Sequence, residues 1–221
     1  MKIAIEVNGV LRNTIEKLKQ VYEKFLIESE EDSLGKTFEI GDDEEISEVE
    51  IIKEEFKYEI IEPITSLELD NFLKFKSNEE KLNFIYEEFP MHIFGHAPSS
   101  EMTTFNDFNE FYTEFREDHE IFIISDEIGK SKPSTLFFLS KFGCLVENVI
   151  FYNPKTIDKV ITSFDLIVTS NPDLIINYSN SVQFVKYETE YNKQSECILK
   201  ISTFKQLSDI IKNLKNVKVI Q

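Results

Sequence analysis

Met1-Lys-Ile-Ala-Ile-Glu-Val-Asn-Gly-Val-Leu-Arg12 joins a strand directly to a polar loop. Ile3, Ala4, Ile5 and Val7 read as a short buried strand, and Glu6, Asn8 and Gly9 fall at its C-terminal end. Open α/β sheets bind ligands outside the carboxyl ends of their strands. The polar residues of this stretch are therefore aimed at the place where such a sheet would keep a site.

The surrounding composition is compatible with that sheet. The 221 residues suffice for one α/β domain with an elaboration, or for two small domains. The 41% hydrophobic content, including 20 Phe, is ample for a core. No apolar run approaches the ~20 residues of a membrane-spanning helix, and Glu6 and Asn8 interrupt the first apolar stretch too early for a signal peptide. The expectation is a soluble intracellular protein, cytoplasmic or a component of an assembled particle, with no membrane partner. A net charge of −17, from 24 basic and 41 acidic residues, repels phosphate backbones. With Arg12 and Arg116 the only arginines, bidentate phosphate clamps are scarce, so nucleic acid is not expected as a partner. Cys144 and Cys197 lack metal-type spacing and read as reduced, partly buried thiols.

Beyond the first strand, Ile15, Leu18, Val21, Tyr22, Phe25 and Leu26 recur at helical spacing, with Asn13 or Thr14 as N-cap. An acidic, glycine-punctuated run follows, including Asp42-Asp43-Glu44-Glu45. It reads as a solvated loop, since the alternating spacing of a calcium loop is missing. Positions 48–61 alternate in part as a strand or hairpin, 66–75 and 77–88 read as short helices, and 94–98 as a loop returning to the core. His92 and His96 stand four apart, but Gly95 and Pro98 make a poor helix there and no third ligand is evident. Helices are then expected over 105–117, from Lys132 to Gly143, over 156–162 and over 202–214. In the Lys132 helix Leu136, Phe137, Leu139 and Phe142 are expected to face inward. Strands are expected over 119–125, 148–152, 165–169 and 181–187. Alternation at these lengths means a doubly wound, mainly parallel α/β sheet.

The first loop resembles the opening motif of the haloacid dehalogenase-like phosphohydrolases, Asp-x-Asp-Gly-(Val/Thr)-Leu, with Glu6 and Asn8 in place of the acids and Gly9-Val10-Leu11 matching. Ser125, at the end of the second strand, matches the second motif, and Lys159, ten residues before Thr169, the third. Phe164-Asp-Leu-Ile-Val-Thr-Ser-Asn-Pro-Asp-Leu174, with Tyr191-Asn192 and Ile201-Ser-Thr-Phe204 after it, is similar to the 5′(3′)-deoxyribonucleotidase branch. This resemblance implies a core of 1–12 and 95–221 and an inserted cap of 13–94 carrying the acidic loop.

The resemblance also implies a chemistry: a carboxylate nucleophile at Glu6, an acid–base group at Asn8, Mg²⁺ held at Thr169 and Ser170, and phosphate contacts from Ser125 and Lys159. Glu6 is one methylene longer than the family's Asp, and a displacement of ~1 Å can cost ~100-fold. Asn8 exchanges no proton at neutral pH, and Thr169 and Ser170 are poor substitutes for the acids that hold a hard cation. Asp173 or Asp126 would have to be recruited for metal. The expectation is a protein that does not catalyse the family's reaction, in which Lys159 pairs with Glu6, no cofactor is bound, and other protein chains are the partners in a homo- or hetero-oligomeric assembly such as a virion. The alternatives are a Mg²⁺-dependent phosphatase or nucleotidase acting through Glu6, and a non-hydrolytic phosphate or nucleotide binder using Ser125 and Lys159.

Overall fold

A computed structural model describes residues 1–35 and 64–218. Six strands form one all-parallel sheet: β1 (Lys2–Glu6), β2 (Glu120–Asp126), β3 (Asn148–Tyr152), β4 (Leu166–Thr169), β5 (Gln183–Tyr187) and β6 (Leu199–Ile201). Their spatial order is β3-β2-β1-β4-β5-β6. The chain winds outward from β1 to β3 and then crosses to β4 on the other side of β1. The winding therefore reverses between β1 and β4, the position at which open α/β sheets hold their ligands, at the carboxyl ends of the strands.

Strand periodicity builds the two layers on either side of the sheet. Ile3, Ile5, Ile121, Ile123, Leu166 and Val168 point to one face. There they meet α3 (Thr104–Phe115), α4 (Ser131–Lys141) and α7 (Phe204–Lys218) through Phe108, Phe111, Phe138, Phe204 and Leu207. Ala4, Ile124, Ile167 and Phe184 point to the other face, against Ile161 of α5 (Ile157–Ile161) and Leu174 and Ile175 of α6 (Pro172–Tyr178). The sheet is buried on both sides, as its near-continuous apolar strands require.

A third apolar cluster stands apart from these two. It joins Leu18 and Tyr22 of α1 (Thr14–Gly35) to Leu73, Phe84, Ile85, Ile93 and Phe94. Asn13 caps α1, its Oδ1 accepting from the Glu16 N–H at 3.4 Å. α2 (Asn78–Asn83) is capped by Ser77 Oγ, which accepts from the Glu80 N–H at 3.1 Å, and it runs into a π-helical turn at Phe84–Glu88.

Some local expectations are corrected. The helix anticipated over 66–75 is one 3₁₀ turn, Leu69–Asn71. The Lys74 N–H donates to the Tyr22 hydroxyl at 2.7 Å, so it is not available to extend a helix. The supposed loop at 94–98 begins inside a second π-helical turn, Met91–Gly95. In α4 the inner positions are Ser131, Ser134, Thr135, Phe138 and Leu139, while Leu136 and Phe137 are 48% and 42% exposed. β6 and α6 were not anticipated as elements. The acidic run at Asp42–Glu45 and the strand or hairpin at 48–61 lie outside the described residues. Cys144 and Cys197 are free and half-buried. Among the described residues no helix is long and apolar enough to cross a membrane.

Candidate functional site at the carboxyl ends of β1, β2 and β4

Two of the anticipated positions, Glu6 and Thr169, meet at one point. Glu6 ends β1 with only 2% of its surface exposed. One carboxylate oxygen accepts from the Tyr152 hydroxyl at 3.0 Å, and the other accepts from the Thr169 hydroxyl. Thr169 Oγ1 in turn accepts from the Asn171 N–H at 2.9 Å. Burial pushes the Glu6 carboxyl up to about 7 against the opposing effect of these two donors, and the negative charge of Asp126 adds to the rise.

The loop after β1 is tied off by its own backbone. The Leu11 and Arg12 N–H groups return to the Val7 carbonyl at 3.0 Å, and the Gly9 N–H donates to the Arg12 carbonyl at 2.8 Å. Gly9 sits at φ +75°, and a Cβ there would lie 1.9 Å from Tyr191 Oη and 2.1 Å from Ser170 Oγ. Only glycine lets the β4 and β5 loops approach so closely. Ser170 donates to the Asn8 carbonyl at 3.0 Å and lies 2.7 Å from the Tyr191 hydroxyl. The Asn192 amide donates to the Ser170 and Tyr187 carbonyls at 2.8 Å each. The Tyr191-Asn192 pair therefore acts as a clasp between the β4 and β5 loops.

Beside Asn8 lies an ion pair whose partners are 115 residues apart in sequence. Arg12 is fully buried, and its Nη2 donates to Glu127 at 2.5 Å and to Asn8 Oδ1 at 2.6 Å. Nη1 donates to Thr135 Oγ1 at 2.5 Å and to the Phe94 carbonyl at 3.1 Å, and Nε donates to Thr14 Oγ1 at 3.1 Å. The guanidinium also lies over the rings of Phe94 and Phe138, at 4.9 and 5.2 Å. Burial lowers the Arg12 pKa and the Glu127 charge opposes that fall. Glu127 Oε1 accepts from Ser125 at 2.9 Å and from the Thr135 hydroxyl as well as from Arg12, while its Oε2 is buried without a partner among the described residues. Asp126 is raised to about 6, by burial first and by Glu127 second.

The anticipated phosphate contacts do not converge. Ser125 is fully buried and spends its hydroxyl on Glu127. Lys159 is exposed on α5, and Glu6 is bonded to Tyr152 and Thr169, so the expected Lys159–Glu6 pair is not formed. A short helix before β4 turns this lysine to solvent. Asp173 is likewise exposed, in the first turn of α6, where its N–H is capped by Asn171 Oδ1 at 2.9 Å.

The resemblance implies Mg²⁺, and the residues present do not fit it. Both Glu6 oxygens already accept hydrogen bonds, Asn8 Oδ1 accepts from Arg12 and from Thr14 at 2.7 Å, and Ser170 is committed to Asn8 and Tyr191. A buried guanidinium bonded to Asn8 also opposes a second cation there. Among the described residues no group of three or more His, Cys, Asp or Glu is placed to hold a metal ion.

Arg12, Glu127, Thr135 and Tyr152 are the residues whose roles the sequence concealed. The signal was there for two of them: a rare arginine directly after the loop motif, and an acid following an otherwise apolar strand. No protein-family model matches the chain and no curated protein matches it, so its chemistry rests on these residues and their geometry.

Proposed function

We propose that this chain is a non-catalytic protein on a phosphohydrolase-like frame, used as a binding or structural component of a larger protein assembly. The observation that carries the reading is the closure of the site on itself. Glu6 accepts from Tyr152 and Thr169, and Asn8 accepts from Arg12 and Thr14. A carboxylate poised to attack phosphorus needs a free oxygen and a nearby cation. Both Glu6 oxygens are instead engaged by hydroxyl donors. Exposed Leu136 and Phe137 on α4, with Met91 beside them at 38% exposure, support a role in contacting other chains.

One observation favours the hydrolase reading. Glu6 and Asp126 titrate near 7 and 6, within the range useful for proton transfer. The deciding experiment measures hydrolysis of p-nitrophenyl phosphate and of deoxynucleoside monophosphates with Mg²⁺. It compares the wild type with Glu6→Ala and with the quadruple variant Glu6→Asp/Asn8→Asp/Thr169→Asp/Ser170→Asp. No turnover by the wild type is expected. Turnover that Glu6→Ala abolishes would overturn the proposal. The assembly half is read from the native mass of the chain in cell lysate, where a monomer counts against it.

A further inference from the structure

The sheet ends in β6, which among the described residues pairs only with β5. The Ile201 carbonyl accepts from the Glu188 N–H at 2.8 Å, so the backbone of Ile201 turns toward β5. Backbone polar groups alternate in direction along a strand. Those of Lys200, and of Ile198 before it, therefore turn outward, and an outward-turned edge is a template for a further strand.

Exposure alternates along the same stretch: Glu196, Ile198 and Lys200 are exposed, while Cys197 and Leu199 are half-buried. Ile198 is 99% exposed. It lines a groove of about 1040 Å³ between β6 and α6, together with Ile176 of α6, which is 69% exposed. Single exposed apolar side chains are ordinary, but two on one groove beside an open strand edge form an interaction surface.

The charges on this edge identify what covers it. A lone lysine on an edge strand discourages pairing with another strand. Here Glu196 stands four residues before Lys200, with Ile198 midway. In an antiparallel pairing with a second copy, a two-fold axis at Ile198 sets Ile198 against its own counterpart and Glu196 against Lys200 of the second copy, twice over. The outward backbone groups make these the hydrogen-bonded pairs of the ladder, and facing side chains share one side of the sheet. An axis at Lys200 would set lysine against lysine, and an axis at Glu196 would set acid against acid, so charge fixes the register. The net charge of −17 opposes association at long range. At about 0.15 M salt that repulsion is screened beyond ~8 Å, whereas the facing pairs are in contact. We infer that two copies of this chain join edge to edge through Glu196–Lys200, antiparallel, with Ile198 on the two-fold axis. This contact deepens the assembly reading above and rests on it, but is independent of any chemistry at Glu6.

Sedimentation equilibrium of the purified full chain at about 0.15 M salt tests it. The variants are Glu196→Lys, Lys200→Glu, the exchanged pair Glu196→Lys/Lys200→Glu, and Met102→Glu as a control at an exposed apolar residue outside the groove. All three positions are exposed, so the changes do not disturb the core. The wild type should reach twice the 25.9 kDa of one chain. Each single reversal sets like charges opposite each other at both ends of the contact and should weaken the dimer about tenfold or more. The exchanged pair should recover most of the wild-type affinity, and the control should change it little. A dimer indifferent to both single reversals, an exchanged pair no better than the single variants, or equal weakening by the control would overturn the contact and leave the assembly reading standing. A purified wild type that stays monomeric at tens of micromolar would also overturn the contact, whereas the assembly reading fails only on a monomeric mass in cell lysate.

Discussion

Replacing Glu6 by Gln should make the protein more stable at alkaline pH, because the native fold holds this carboxyl in the form that water disfavours. Burial raises its pKa from 4.5 to about 7. At about 1.4 kcal/mol per pH unit, ionising Glu6 in the fold costs about 3 kcal/mol more than ionising it in the unfolded chain. The sign follows from proton binding. Between 4.5 and 7 the native state keeps a proton that the unfolded state releases, so stability falls as pH rises. The contribution of Glu6 is fully present below about 4.5 and has been lost above about 7. Glutamine has nearly the same shape and no charge to bury, and the Thr169 and Tyr152 hydroxyls can turn to serve its amide.

Urea denaturation of wild type and Glu6→Gln at intervals from pH 5 to pH 9 measures the effect. The two proteins should be close at pH 5, and the variant should gain up to about 3 kcal/mol by pH 8, with unchanged m-values. Thermal melts should show the same gap as roughly 6–12 °C. Asp126, raised to about 6, adds its own slope, and because its charge also acts on Glu6 the difference between the two proteins reports the coupled pair. Parallel stability curves across this range would refute the reasoning, because they would mean that Glu6 is ionised in the native state with no excess cost.

Three further outcomes are expected. Removing either partner of the Arg12–Glu127 pair, by Arg12→Met or Glu127→Met, should cost about 3–5 kcal/mol, since the survivor is a buried charge; in a double-mutant cycle by urea denaturation, the pair should cost at least about 2 kcal/mol less than the sum. Gly9→Ala should destabilise by more than about 2 kcal/mol in thermal or urea melts, and Tyr191→Phe in that background should restore part of it by removing the hydroxyl 1.9 Å from the new methyl. Phe108→Ala, at a fully buried position, should cost about 3–5 kcal/mol by denaturation, whereas Phe137→Ser, 42% exposed, should cost less than about 1 kcal/mol.

The sheet was legible because its strands are buried on both faces and their apolar runs are unbroken. Ile3-Ala-Ile5, Ile121-Phe-Ile-Ile124 and Leu166-Ile-Val168 all fall inside strands of the structure. β6 escaped notice as an element because three residues carry too little periodicity. The face of α4 was misread for a different reason. Apolar residues were assumed to point inward, but Thr135 turns in to bond Arg12 and Glu127, which leaves Leu136 and Phe137 toward solvent. At the site, Glu6 and Thr169 came together because their strands are neighbours through β1 and β4. The ion pair could not be read locally, since Arg12 and Glu127 meet only through the pairing of β1 with β2. Lys159 was placed by its distance before β4, and that distance says nothing about the direction in which a five-residue helix presents its side chains.

The residues that differ from the phosphohydrolase motif the first loop resembles form one hydrogen-bonded set. A carboxylate at position 8 would accept from Arg12 and Thr14 as Asn8 does, but would compete with Glu127 for the only guanidinium in the cluster. An acid at position 169 would remove a hydroxyl donor from Glu6 and place a like charge beside it, in surroundings that already raise Glu6 to about 7. An acid at position 169 would be a buried charge beside Glu6, at a cost of several kcal/mol unless a cation paired with it. The hydroxyls of Thr169, Ser170 and Tyr152 avoid that cost because each donates without carrying charge. The guanidinium of Arg12 satisfies Asn8, Thr135, Glu127 and the Phe94 carbonyl and so holds the mouth of β1 together. It also bonds the Phe94 segment and the α4 segment to the strand ends, so the cation that rigidifies the loop joins the third apolar cluster to the sheet.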